Sequence, residues 1–441
     1  MFDYVLNHIS SKSRWFKNYL DEKETEKELA IEATTSDDLS KVVRPRSLPL
    51  LTKFKKKSGK EVFVWTTFST DQIDLNYNSL DVLEKMVKVL LYYVEQGAKI
   101  LRLDAIAYLW KEVGTNCIHL AQTHEMVKLF RRILDIVAPE VMILTETNVP
   151  HNENIRYFGN GIDEAQMIYN FTLPPLLLYS MVNKDTGLLS EWAKSLHLTS
   201  PKNAFLNFTA SHDGIGVRPL ENILSNNEID KLCNIVRMNG GYISYKKNPD
   251  NSDSPYELNI SYIDALSSIS GKGDDYLIKR FLASQVIQYV LPGVPATYIH
   301  SILGSRNWIE GVHITGRYRT INREKLKLDD LLNQLKIPET FRSLIFYPYL
   351  DLIKTRRCQP AFHPNAGFEI LELDSRVFGI KRFSINQMIY ALTNISDEPV
   401  FLSLQLKPSP KILIDLITGK AYDPFKIQLL PYQYIWLSLP E

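Results

Sequence analysis

The sequence predicts an α/β fold, a parallel sheet of the (β/α) barrel type covered by helices and followed by a small antiparallel β domain. Three observations predict it. Short apolar runs alternate with amphipathic stretches over residues 1–365, the pattern of strands joined by crossover helices. Three of those runs lead into acidic residues, Asp104, Glu146 and Asp213, as strand ends do around the mouth of a barrel. Over residues 366–441 the runs become short, alternating and separated by turns, which describes antiparallel strands with one covered face.

The elements follow in order. "MFDYVLNHIS" reads as a buried strand running out into Asn7 and His8. Residues 9–78 interrupt the rhythm with a polar, proline-containing lobe. Its basic run "KFKKKSGKE" is expected to be a solvated hairpin tip. From Ser79 to Gln96 the residues Leu80, Val82, Leu83, Met86, Val87, Leu90, Leu91 and Val94 recur at helical spacing, and Gly97 ends the pattern. "KILRLDA" is a strand buried on both faces, and a second helix is expected from Thr123 to Val137. "VMILTET", "EAQMIYNF", "NAFLNFTASHD" and "GVPATYIHS" are further strands, with helical stretches at 186–196, 276–290 and 339–356. Residues 214–275 form a polar insertion, and insertions of that length are commonly functional loops. "FEILELD", "RVFGIKRF", "MIYALTNI", "VFLSLQL" and "YQYIWLSL" are the strands of the C-terminal domain.

Composition narrows the function. With 51 basic against 50 acidic residues and 45% hydrophobic residues, the chain offers no electrostatic reason to bind nucleic acid or an anionic membrane. A small ligand is the expected partner. Cys117, Cys233 and Cys358 are too scattered for a disulfide framework, and no membrane span or signal peptide is legible, so a cytoplasmic location is expected. "CIHLAQTH" brings Cys117, His119 and His124 together at a spacing that fits no common metal site.

The three acids suit glycoside chemistry. An oxocarbenium-like transition state needs one carboxylate as nucleophile and one carboxylic acid at the leaving oxygen. Taken singly, an acid at a strand end is more often a helix cap or ion-pair partner than a catalyst. Together, with Arg102 on the same strand face as Asp104 and with His8 and His212 nearby in the pattern, they point to a sugar site.

At these residues the chain resembles a known family. "DYVLNH", "ILRLDAIAY", "ILTETN" and "NFTASHDGIG" resemble the four signature regions of the α-amylase superfamily, glycoside hydrolase family thirteen, in order. "VWTTFSTDQIDLNY", "LWKEVGTNCIHLAQTHE", "YNFTLPPLLL", "SPYELNISYIDAL" and "GRYRTINREKL" are similar to its sucrose phosphorylase branch, and more to glucosylglycerate phosphorylase-like members. The resemblance implies a (β/α)8 TIM barrel in which "DYVLNH" is the third strand. The chain is therefore expected to lack the first two βα units, including an acid from the second strand that clamps the sugar. Such a truncated chain is expected to leave a sheet edge open and to lose activity. An inserted lobe after strand three and a C-terminal antiparallel β domain complete the expectation.

By the same resemblance Asp104 is the nucleophile that forms a covalent glucosyl ester, Glu146 the general acid and then base, and Asp213 the stabiliser of the transition state. His8, Arg102, His212 and Arg319 are implied to contact the glucose. Phe68 is implied to stack at the junction of donor and acceptor, with Gln72, Tyr108, Tyr256 and Glu257 near the acceptor. The implied reaction transfers a glucosyl group from a small α-glucoside, glucosylglycerate or sucrose, to inorganic phosphate with no metal or organic cofactor. Glu257 weighs against an anionic acceptor, whereas Arg317 and Lys246 weigh for one. A hydrolase or transglucosylase of the same superfamily and a non-catalytic sugar-binding remnant are the alternatives.

Overall fold

A computed structural model describes residues 1–34, 36–248, 250, 252–267, 273–406 and 411–440. The chain forms two compact units, residues 1–169 with 244–256, and residues 170–243 with 257–441. Among the described residues no helix is long and apolar enough to cross a membrane.

The first unit is built on four parallel strands, in the order Phe2–Val5, Ile100–Asp104, Met142–Thr145 and Met167–Tyr169. Asp3 lies opposite Arg102, and Arg102 opposite Leu144. Tyr4, Leu101, Leu103, Ile143, Leu144 and Ile168 are buried, as the unbroken apolar runs require. Helix Leu80–Glu95 buries Val82, Met86 and Leu90, four residues apart and therefore on one stripe. Tyr4 donates its hydroxyl to the Met86 carbonyl at 2.7 Å, which fastens this helix to the first strand. Gly97 ends it at φ +86°, a conformation that glycine adopts without strain. Helix Ala121–Val137 buries Val127, Phe130 and Leu134 and covers the next crossover.

The polar lobe contains the expected hairpin. Strands Leu51–Lys55 and Glu61–Trp65 pair antiparallel, and Gly59 at φ +91° turns the chain between them. Lys55, Lys57 and Lys60 are exposed at the tip. Below it His8–Ser10 pairs with Gln72–Asp74, which sets His8 opposite Asp74.

In the second unit Ala204–Asn207 and Val294–Pro295 are a parallel pair, with Val294 opposite Leu206. Both are shorter than the apolar runs suggested. Residues 208–213 are loop, and Ile299–Ile302 is a helical turn where the strand was expected to continue. Gly293 permits the close approach of this pair, since a Cβ there would sit 2.5 Å from the Phe205 carbonyl oxygen.

The region read as an irregular insertion holds regular structure. Helix Asn226–Met238 lies within it, and Ile215–Gly216 pairs with Leu258 and Glu257 of strand Asp253–Asn259. Residues 249, 251 and 268–272 of that stretch lie outside the described residues. Helix Gly273–Val290 is buried along most of its length, and helix Phe341–Arg357 follows further along the chain.

The C-terminal strands form an antiparallel sheet in the order Gly367–Ile370, Val377–Phe383, Met388–Asn394, Tyr434–Ser438, Leu413–Asp415 and Ala421–Tyr422. Val400–Leu402 pairs separately with Ile427–Leu429. Val377, Leu392, Leu413, Ile427, Ile435 and Leu437 form their shared core.

Candidate active site

Asp104 ends its strand, and Glu146 follows directly on the neighbouring one, where its N–H still donates to the Leu103 carbonyl at 3.1 Å. Both acids therefore stand at the C-terminal end of the first unit's parallel strands. Ala105, at φ +51°, then turns the backbone so that its N–H donates to Glu146 Oε2 at 3.0 Å.

Arg102 organises this group. It lies two residues before Asp104, so both side chains project to the same face of the strand. Its Nη1 donates to Asp104 Oδ1 at 2.7 Å and to Asp3 Oδ1 at 2.6 Å, and Nη2 lies 3.9 Å from Glu146 Oε1. Nε donates to the Tyr169 hydroxyl at 3.2 Å. Burial opposes a charged guanidinium here, but Glu146, Asp104, Tyr169 and Asp3 outweigh it and raise the Arg102 pKa above its ordinary value. The cation is permanent, and both candidate catalytic carboxylates flank it.

His8, Phe68, Gln72 and Tyr108 form a second group in the same unit. The Phe68 ring lies 5.5 Å from His8 and 5.4 Å, edge to face, from Tyr108. The Gln72 carboxamide reaches 2.7 Å from His8 Nε2. Burial lowers the His8 pKa, Asp74 and Asp104 oppose that shift, and Lys111 reinforces it. The ring is thus held neutral within the electrostatic reach of Asp104. Tyr256 is buried, with Arg46 5.3 Å from its ring centre.

The second unit gathers the remaining residues around Arg319. Its guanidinium forks onto Glu257, with Nε donating to Oε2 at 2.9 Å and Nη2 to Oε1 at 2.6 Å, and Nη1 donates to Asp213 Oδ1. This planar fork fixes Arg319 more firmly than a single contact would. Glu257 is buried, and both of its oxygens hold the arginine. Gly214 must be glycine for this packing, because a Cβ would meet Glu257 Cγ at 2.6 Å and the Leu258 carbonyl at 2.7 Å. Asn322 donates to the Asp213 carbonyl at 2.6 Å, and Arg323 to the His212 carbonyl at 2.6 Å. The His212 side chain is 58% exposed, with Nε2 3.7 Å from Asp213 Oδ1.

Sequence reasoning missed Asp3, Tyr169, Asn322 and Arg323. Asp3 and Tyr169 reach Arg102 from neighbouring strands, and strand register cannot be read from one strand at a time. Arg323 carried a signal, since it follows Arg319 by four residues, but without a visible helix the spacing had no meaning. His119 and His124 each meet a carboxylate, Glu153 at 3.1 Å and Glu164 at 2.9 Å, and both rings lie near Tyr157. Among the described residues no cluster of three or more His, Cys, Asp or Glu side chains is arranged to hold a metal ion.

Residues 1–216 match the family model of the α-amylase catalytic domain. The chain is 46% identical to a glucosylglycerate phosphorylase of Spirochaeta thermophila, over 99% of this chain and 76% of that protein. It is 43% identical to a glucosylglycerate phosphorylase of Escherichia coli, over 99% of this chain and 78% of the other. Among solved structures, sucrose 6F-phosphate phosphorylase from Thermoanaerobacter thermosaccharolyticum superposes with a TM-score of 0.77 at 24% identity. That match covers 97% of this chain and 82% of the other.

Proposed function

The chain belongs to the α-amylase superfamily, in the branch that contains glucosylglycerate and sucrose phosphorylases, and from that membership we propose that it is a retaining phosphorylase of a small α-glucoside. Its fold is the α-amylase-like TIM barrel with a C-terminal antiparallel β domain. Its activity is that of a glycosyltransferase-type glycoside phosphorylase. Glucosylglycerate is the first candidate substrate, and sucrose the second.

In the first step Asp104 attacks the anomeric carbon and forms a glucosyl ester, while Glu146 gives its proton to the leaving oxygen and the glycosidic bond breaks. In the second step a phosphate oxygen attacks the same carbon. The ester bond breaks, Asp104 regains its charge, and the proton of the phosphate monoanion passes to Glu146. Two inversions leave α-glucose 1-phosphate. Phosphate is already anionic and needs little base assistance. Asp213 stabilises the positive charge that develops on the ring, with Arg319 held against it by Glu257. No metal or organic cofactor takes part in this scheme.

The observation that carries this reading is the pair of acids at adjacent strand ends, both flanking the Arg102 guanidinium. An arginine so placed orients the nucleophile, and Glu146 receives a backbone N–H from the residue after that nucleophile.

To test it, the full-length protein is incubated with α-glucose 1-phosphate and D-glycerate, fructose or glycerol, and phosphate release is followed. Release with glycerate ahead of the others is expected, and none with Asp104→Asn. No release with any acceptor overturns the reading. Glucoside cleavage at the same initial rate with and without phosphate would assign a hydrolase instead.

A further inference from the structure

We infer that Lys111 is a positioning residue for His8, selecting through the Asn7 carboxamide which ring nitrogen carries the proton. The functional consequence rests on the proposed reading of His8 as a contact of the donor glucose. The chemistry of the hydrogen bonds that join these three side chains does not.

Lys111 is buried, as are Asn7 and Asp74. Its ammonium lies 2.8 Å from Asp74 Oδ2 and donates to Asn7 Oδ1 at 2.6 Å. Asp74 is held in turn by the Thr67 N–H at 3.3 Å and by the Thr67 hydroxyl. An ammonium has only donors. The Asn7 atom that meets it must be the amide oxygen, so the orientation of that carboxamide is settled by Lys111. The Asn7 NH2 then faces His8 Nδ1 at 3.3 Å, and an NH2 group can only donate. Nδ1 must accept, and the proton of the neutral imidazole is left on Nε2. That end of the ring faces the Gln72 carboxamide, beside Phe68. The structure turns Gln72 Nε2 toward His8 Nε2 at 2.7 Å, so this tautomer requires the Gln72 carboxamide to turn over and present its oxygen. Its other partner, the Ser69 hydroxyl 2.8 Å from Gln72 Oε1, allows that because a hydroxyl accepts as readily as it donates.

A purely structural role would leave this chain of choices without effect. A buried ion pair adds little net stability beyond what an apolar replacement gives, whereas the tautomer of a histidine is commonly set by the partner of its other nitrogen. The charged groups that act on the His8 ring are Asp74, Asp104 and Lys111.

The tautomer can be read without substrate, by two-bond proton–nitrogen correlation NMR on the full chain labelled with ¹⁵N-histidine at about pH 8. The His8 signal is identified by its loss in His8→Asn. Wild type is expected to show Nε2–H. Asn7→Asp keeps the side-chain volume and the Lys111 partner but offers only acceptors, so the proton is expected to move to Nδ1. Lys111→Met frees the amide to turn and is expected to give the same change. If that variant fails to fold, Asn7→Asp decides alone. An Nδ1–H wild type, or Nε2–H retained in folded Asn7→Asp, overturns the inference. With glucose 1-phosphate, Asn7→Asp is expected to lower kcat/KM by on the order of tenfold to hundredfold, mainly through KM. An unchanged kcat/KM overturns the positioning role. A chain inactive with every acceptor leaves the tautomer result standing, which distinguishes failure of the phosphorylase reading from failure of this one.

Discussion

Arg102 touches Asp3, Asp104, Glu146 and Tyr169 at once, so it cannot swing toward one partner without leaving the others. Its link to Asp104 was legible because residues two apart on a strand share a face. Its links to Asp3 and Glu146 depend on how parallel strands align, which the sequence does not state. His151 shows a different residue-scale effect. It follows the Glu146 strand, is buried, and burial lowers its pKa to about 4 from an ordinary 6.5. Between those values the unfolded chain binds the proton and the folded one does not. Stability therefore rises with pH across that window and falls on acidification from pH 6.5 toward 4. The contribution is on the order of 3 kcal/mol. His151→Gln is expected to flatten this part of the profile, measured by urea denaturation at pH 7.5, 6 and 5. An equally steep fall in the variant would contradict it.

At the scale of elements, helices that bury one stripe were readable by their period; of the helices buried on nearly every side, Gly273–Val290 was expected and Leu173–Asn183 was not. Leu80–Glu95 shows its buried residues at regular spacing. Leu173–Asn183 is buried through Leu173, Pro174, Pro175, Leu176, Leu177 and Leu178 in succession, so no periodicity marks it. Its two prolines sit at the first helical turn, where their missing N–H groups cost nothing. Helix Asn226–Met238 was overlooked because its polar surroundings read as loop, although "SNNE" announces it. Ser225 Oγ accepts from the Glu228 N–H at 3.4 Å, and Glu228 Oε2 accepts from the Ser225 N–H at 2.8 Å, closing a capping box. Glu228 also accepts the Tyr179 hydroxyl at 2.6 Å, which ties this helix to Leu173–Asn183. Ser225→Ala is expected to cost about 1 kcal/mol, with accelerated amide hydrogen exchange confined to the first turn. Exchange unchanged there would show that the cap does not hold the helix end.

At the scale of the whole molecule, both architectures announced themselves by the period of their apolar residues, and the joints between layers did not. The second unit supplies the clearest joint. Helix Gly273–Val290 ends in the interior, where its last carbonyls have no water to accept from. The buried Arg382 and the half-buried Arg356 supply the donors. Arg356 donates to the Tyr289 carbonyl at 2.8 Å and the Phe362 carbonyl at 2.9 Å. Arg382 donates to the Val290 carbonyl at 2.8 Å and the His363 carbonyl at 2.8 Å. Cations at a helix C-terminus also answer its dipole. Burial lowers the pKa of both, and Arg356 adds to the effect on Arg382. Arg382 occupies an inward position of strand Val377–Phe383, so it joins the C-terminal sheet to the end of that helix. In the sequence it reads as a surface charge in an alternating strand. Arg382→Met keeps the apolar bulk but leaves carbonyls of two segments without donors, an expected loss of about 3 kcal/mol or more. The melting temperature should fall by roughly 5–10 °C. Arg376, which immediately precedes strand Val377–Phe383 and meets Asp374 and Glu398, is the control. Its pairs are partly exposed and screened by solvent, so Arg376→Met should melt close to wild type. Equal shifts for the two variants, measured by calorimetry on the full chain, would mean that Arg382 contributes as a surface charge and does not cap the helix.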